Sequence, residues 1–266
     1  MNIFNIIDQL QKVDGDAIER LQHASRRQFM NHFSSKVAAA AAPMLFATVM
    51  NKAYAQSAAA KEVLEFALTL EYLENEFYKK GNKSGIIPDM YKKVFETIGK
   101  HETQHVEYLQ KVLGIDPTTK APEFDFTYDG KLTDTFTNFS TFVTVSAALE
   151  DTGVRAYKGQ AGNLMMDPGV LEVALQIHSV EARHAAESRR IFAIVNNAPT
   201  IKGWITNNNS LIPLVQAIYD GEDNVIIGGA DLNGIAGKSH DAITEAFDEI
   251  LMKQQVIDIA TPFLTV

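Results

Sequence analysis

Apolar residues return at helical spacing in four long segments of this chain. Over 57–80, Val63, Leu64, Ala67, Leu68, Leu70 and Leu73 form one stripe, the pattern an amphipathic helix turns toward a core. Gly81-Asn82 is its expected stop. A second helix is expected over 88–113, with Pro88 in its first turn and Gly114 closing it. A third is expected over 132–159 and a fourth over 168–195. The links after the first and third helices are short. The stretch 114–132 is long and broken by Pro117, Pro122, Asp125, Asp129 and Gly130, with Phe124, Phe126 and Tyr128 alternating with polar residues as a cover for the helices. Short, long, short is the loop order of two helical hairpins joined by a crossover. The fold class is therefore all-α, a four-helix bundle over 56–195. Residues 196–266 lose the pattern. Glycines 221, 228, 229, 234 and 237 mark turns, with a short strand over 224–227 and two short helical pieces over 240–263. Leu251, Val256, Ile257, Ile259 and Phe263 are expected to pack this mixed extension on the bundle, as a cap or as a contact in a homo-oligomer.

Polar residues inside the stripes repeat. Glu71, Tyr78, Glu102 and His105 are followed, 79 positions later in each case, by Glu150, Tyr157, Glu181 and His184. Helix positions i and i+3 share a face, as do i and i+7. Glu102 and His105 can therefore point at one centre, and so can Glu181 and His184. Glu71 and Glu150 enter from the other two helices, with Tyr78 and Tyr157 two turns along. One Glu from each of two helices and one Glu-x-x-His from each of the others is the ligand set of a dinuclear carboxylate site.

Charge points the same way. Four carboxylates inside a bundle cannot all stay ionised without counter-charge, because desolvation and mutual repulsion are both unfavourable. Two divalent cations neutralise them and leave two imidazoles as neutral ligands. Oxygen and imidazole donors suit iron or manganese, although affinity alone favours copper or zinc. Tyr78 and Tyr157 are placed to hydrogen-bond the ligands of the opposite hairpin.

On these motifs the chain resembles the ferritin-like di-metal carboxylate proteins, in which Glu-x6-Tyr and Glu-x-x-His recur in both halves of the bundle. The run LEFALTLEYLENEFY, 64–78, is similar to an exported ferritin-like branch that includes desiccation-related proteins. The resemblance covers roughly 57–195. It implies a di-iron or di-manganese centre acting on oxygen or peroxide, similar in plan to manganese catalases, or else a non-catalytic protein of stress protection. Iron storage is a third reading, but the C-terminal extension does not resemble the short fifth helix of cage-forming ferritins.

Other polar residues admit competing readings. His101-Glu102-Thr103-Gln104-His105 also fits the zinc-protease motif HExxH, where both histidines bind metal. The repeat argues against it, since Val180 stands where a second His101 would be. His178 lies one turn before Glu181 on the same stripe, opposite Gly99 in the first copy, either as a core histidine or at the edge of the centre. Glu74 lies off the Glu71–Tyr78 stripe, close enough to be an alternative ligand.

Composition narrows the rest. The chain has 266 residues, 46% hydrophobic and 21% charged, with no cysteine, so thiolate sites, disulfides and cysteine nucleophiles are excluded. Ser25-Arg26-Arg27-Gln28-Phe29, an apolar run over 37–50 and the small residues Ala53-Tyr54-Ala55 follow one another as in a twin-arginine export signal, with Gln56 as the new first residue. Met30-Asn31 and the acidic residues Asp8, Asp14, Asp16 and Glu19 depart from that pattern, and an amphipathic helix of the mature fold is the competing reading. The apolar run is shorter than the roughly 20 residues a membrane span needs. The protein is thus expected in the periplasm or cell envelope, without a membrane span after processing. Net charge is −9, and without residues 1–55 the 18 basic and 29 acidic residues that remain give −11. Neither nucleic acid nor an anionic membrane is an expected partner.

Overall fold

The computed structural model describes residues 57–265. The candidate export signal, with Arg26, Arg27, the 53–55 cleavage site and Gln56, lies outside them. Four long helices form the bundle: α1 (Ala58–Ser84), α2 (Asp89–Leu113), α3 (Phe139–Ala161) and α4 (Pro168–Val195). The hairpins α1–α2 and α3–α4 are joined by the crossover 114–138. Ser57 caps α1 by accepting from the Ala60 N–H at 3.1 Å. Its own hydroxyl donates to Asp167, the residue before α4, at 2.6 Å, which ties the two helix starts together. Pro88 precedes α2, and Gly114 ends it with a left-handed φ of 68°.

Two boundaries differ from the sequence pattern. Gly81 does not stop α1, which runs on to Ser84 and ends at Gly85 with φ 79°. A Cβ on Gly81 would stand 2.2 Å from the Phe142 ring, so this glycine serves helix packing rather than termination. The third helix starts at Phe139 rather than near Leu132. Residues 132–138 fold as turns, held by Thr135 Oγ1 donating to the Phe126 and Leu132 carbonyls at 2.9 and 2.8 Å, and Asn138 caps α3 by accepting from the Ser140 N–H.

The crossover covers one end of the bundle as expected. Phe124 and Phe126 are buried, and Phe77, Phe126, Phe136 and Phe142 form one aromatic cluster with Phe77 and Phe142 stacked at 4.8 Å. The crossover also pairs with the chain end, where the Asp125 N–H donates to the Phe263 carbonyl at 2.8 Å.

The extension contains a two-residue hairpin (Ile226–Ile227 with Ala230–Asp231), α5 (His240–Thr244) and α6 (Lys253–Ala260). It packs on α3, which explains why α3 is buried almost all round where a bundle helix normally leaves one face to solvent. The buried Arg155 guanidinium donates to the carbonyls of Ile218, Asp220, Glu249 and Ile250 and pairs with Glu222 at 2.7 Å. A Cβ on Gly159 would stand 2.1 Å from the Leu251 carbonyl, so only glycine admits that approach. Among the described residues no helix is long and apolar enough to cross a membrane.

Candidate metal centre

Four helices deliver one cluster inside the bundle, two of them through a single Glu and two through a Glu and a His three positions apart. Glu71, Glu102, His105 and Glu181 each offer a ligand atom within 4.8 Å of the others, and so do Glu102, Glu150, Glu181 and His184. Glu102 and Glu181 belong to both groups. The four glutamates are fully buried, and both histidines are almost so. Of the eight motif residues, all six expected to bind metal, the four glutamates and two histidines, are in this cluster.

The donor set fits divalent cations on a direct observation. His105 Nδ1 lies 3.2 Å from Glu71, 3.2 Å from Glu102 and 3.3 Å from Glu181, and one ring N–H cannot serve three carboxylates. His184 Nδ1 lies 2.9 Å from Glu102 and 3.2 Å from Glu150, yet it is aligned with neither as a hydrogen bond. Glu102 Oε1, Glu150 Oε2 and both oxygens of Glu181 likewise lack a hydrogen-bond partner among the described residues. Buried oxygens and nitrogens that converge without pairing are what a cation satisfies.

The electrostatics show how the protein part compensates its own charge. Burial pushes the Glu102 carboxyl up to about 7. Burial, and then the charges of Glu102 and Glu150, hold Glu181 well above the usual carboxylate range. Burial would lower both imidazoles, but the surrounding carboxylates outweigh it, leaving His184 at about 11 and His105 higher still. Burial also raises Glu71, but the His105 charge and hydrogen bonds from His105 and Tyr157 bring it below its ordinary value. Without cations, then, protons occupy the cluster.

The tyrosines cross between hairpins. Tyr78 on α1 donates to Glu150 on α3, and Tyr157 on α3 donates to Glu71 on α1. Behind Tyr78, the Ser146 and Ser188 hydroxyls continue a buried chain at 2.8 and 2.9 Å. His178 stands apart from both ligand groups. It is half-buried against the Val154 backbone, with Nδ1 unpartnered. Glu74 is a fifth buried carboxylate beside the cluster, raised well above its ordinary range by burial and then by Glu181 and Glu150.

Two contributors escaped the sequence pattern. His101, the extra histidine of the HExxH motif, sits beside a candidate ligand: its Nδ1 is 2.9 Å from His184 Nε2, and the rings stack at 5.2 Å. The signal was in the motif, but His184 lies on another hairpin, 83 residues away. Asp151, next to Glu150, is held by Arg189 at 2.7 Å and by Tyr219 of the extension at 2.8 Å, which links the tail to the ligand helix.

A family model described as a ferritin-like domain matches residues 59–193, just over half of the chain and the whole span of α1–α4 bar their outer ends. No curated protein and no solved structure matches it.

Proposed function

This chain belongs to the ferritin-like domain family, and on that premise we propose that Glu71, Glu102, His105, Glu150, Glu181 and His184 hold two iron or manganese ions and that the protein acts on oxygen or peroxide. The observation that carries the reading is the overlap of the two ligand groups, with Glu102 and Glu181 in both. When bound, two such ions supply redox equivalents and Lewis acidity to one small molecule. The chain's own residues do the rest. Glu102 and Glu181 occupy the shared positions, Glu71 with His105 and Glu150 with His184 the two ends. Tyr78 and Tyr157 hold the end carboxylates, and His101 holds His184. Full burial excludes bulk water, which strengthens each of these interactions.

The test is consumption of dioxygen and of hydrogen peroxide by protein loaded with iron or with manganese, against Glu102→Gln as control. Turnover lost in the variant supports the enzymatic reading. A stoichiometrically loaded protein with no turnover on either substrate points instead to the non-catalytic, desiccation-related reading.

Export belongs to the same proposal. The order of Arg26-Arg27, the 37–50 run and Ala53-Tyr54-Ala55 supports a twin-arginine signal over 1–55, with delivery to the periplasm or cell envelope. N-terminal sequencing of the exported protein should begin at Gln56, and changing Arg26 and Arg27 together to Lys should retain the precursor inside. Met1 on exported protein would sink this part.

A further inference from the structure

Beside the carboxylate cluster lies a cavity of about 30 Å³ that the candidate ligands do not fill. Its wall is mainly apolar, with Leu73 of α1, Ala148 and Leu149 of α3, and Val215 and Ile259 of the extension, and it also includes Glu74, Tyr128, Thr144 and Thr152. Two residues of the wall, Glu74 and Gly153, also meet the cluster. Gly153 stands in the interior of α3, where glycine weakens a helix relative to alanine. A Cβ there would lie 3.1 Å from Glu181 Oε2 and 3.2 Å from Glu74 Oε1. Any larger residue at 153 would crowd both carboxylates where the cavity wall meets the cluster.

The other side of the cavity faces outward. A surface groove of about 230 Å³, lined by Phe66, Thr69 and Phe124, shares Leu70, Leu73 and Ala260 with the cavity. Those three side chains are the partition between them. The groove, the cavity and Glu181 thus lie in series, separated by Leu70, Leu73 and Ala260 on the outer side and by Gly153 on the inner side. The C-terminal extension supplies the cavity's outer wall.

Size and lining select the occupant. Sites for drug-sized ligands span roughly 300–1,000 Å³, whereas one buried water needs about 10–15 Å³ and two to four polar partners. A space of about 30 Å³ lined mainly by Leu, Val, Ile, Ala and Phe, with Glu74, Tyr128, Thr144 and Thr152 among them, suits one diatomic apolar molecule better than a hydrogen-bonding one. We propose that the cavity binds dioxygen and delivers it to the metal centre past Gly153, so that of the two candidate substrates oxygen is the one this route serves. The delivery half rests on the metal reading above; the binding half does not.

Xenon, an apolar gas of similar size, separates the two halves. Crystals of the metal-free protein pressurised with xenon should show it in the cavity, and Ala148→Leu, which fills the cavity away from the ligands, should abolish it. In iron-loaded protein the same variant should consume dioxygen at least tenfold more slowly, with metal content and peroxide consumption unchanged. Ala260→Phe, which narrows the route at the outer partition, is the second variant should Ala148→Leu fail to fold. Absence of xenon from the wild-type cavity would overturn the binding site, and an unchanged dioxygen rate in a variant that excludes xenon would overturn delivery. Because the xenon measurement needs no metal, failure of the metal reading leaves it interpretable.

Discussion

The hydroxyl of Tyr78 on the first helix donates its hydrogen bond to Glu150 on the third, so each hairpin steadies a carboxylate that the other contributes. Burial, and then the Glu150 charge, hold the Tyr78 hydroxyl well above its ordinary titration range, so it stays a donor at any physiological pH. Tyr78→Phe should lower metal affinity by about 10–100-fold, the usual effect of losing a partner behind a ligand. The same variant should destabilise the metal-free fold by about 1–3 kcal/mol, because Glu150 loses its donor. Metal titration and thermal melting of the variant check both, and Tyr157→Phe should behave alike through Glu71.

The two ends of the centre should not be equivalent. His101 backs His184, whereas Val180 stands at the matching place in the other copy. His101→Phe should therefore weaken one metal by about 10–100-fold and leave the other near its original affinity. A calorimetric titration would then show two separated steps. His101→Gln, which keeps a polar partner within reach of His184 Nε2, should restore part of the loss; a single uniform decrease would argue against this role.

Arg155 should fasten the extension to the bundle. Removing its guanidinium takes a donor from four carbonyls and leaves Glu222 with the Glu249 N–H but no counter-charge from Arg155. Arg155→Met should cost about 3–5 kcal/mol, and Arg155→Met with Glu222→Met less, since no buried charge is then stranded. Limited proteolysis should cut the single variant between residues 211 and 251, where the wild type resists.

The convergence of carboxylates and imidazoles was legible because helix periodicity fixes which residues share a face, and a repeat at constant spacing makes a chance match rare. Glu71, Glu102, His105 and their partners needed no tertiary information to be grouped. Elsewhere the same local logic failed for a tertiary reason. Gly81 looks like a helix stop from its sequence, but its role is set by the Phe142 ring packed against it. The turns at 132–138 depend on Thr135 reaching the Phe126 carbonyl. His101 and Gly153 act on residues of other helices, which no local spacing reports. In the extension the short strand, the two helical pieces and the packing of Leu251, Val256, Ile259 and Phe263 were legible, but its anchor was not, because Arg155 sits in α3 and has the pattern of an ordinary helix residue.

Stability of the metal-free protein should fall as pH rises. Burial raises Glu102 from 4.5 to about 7, so between those values the folded state holds a proton the unfolded state has lost. His184 is raised from 6.5 to about 11 by Glu150 and Glu102 acting against burial, so its contribution is complete below 6.5 and is lost as pH climbs toward 11. Both terms have the same sign. Metal ions displace these protons, so loading should release protons and the loaded protein should not follow the same decline. Melting temperatures at about pH 5 and about pH 8 should show the gap between loaded and stripped protein widening at the higher pH. A gap that narrows would contradict this.

The central claim is that the two overlapping ligand groups hold two metal ions in one chain. Its most direct test is metal content by elemental analysis after equilibration with manganese or iron, for the wild type and for Glu102→Gln with Glu181→Gln. The predicted result is two ions per wild-type chain and less than one in the double variant, which keeps its fold because each Gln replaces a buried carboxyl at nearly constant volume and carries no charge to bury. A wild type that retains no metal, or a double variant that retains both ions, would contradict the account.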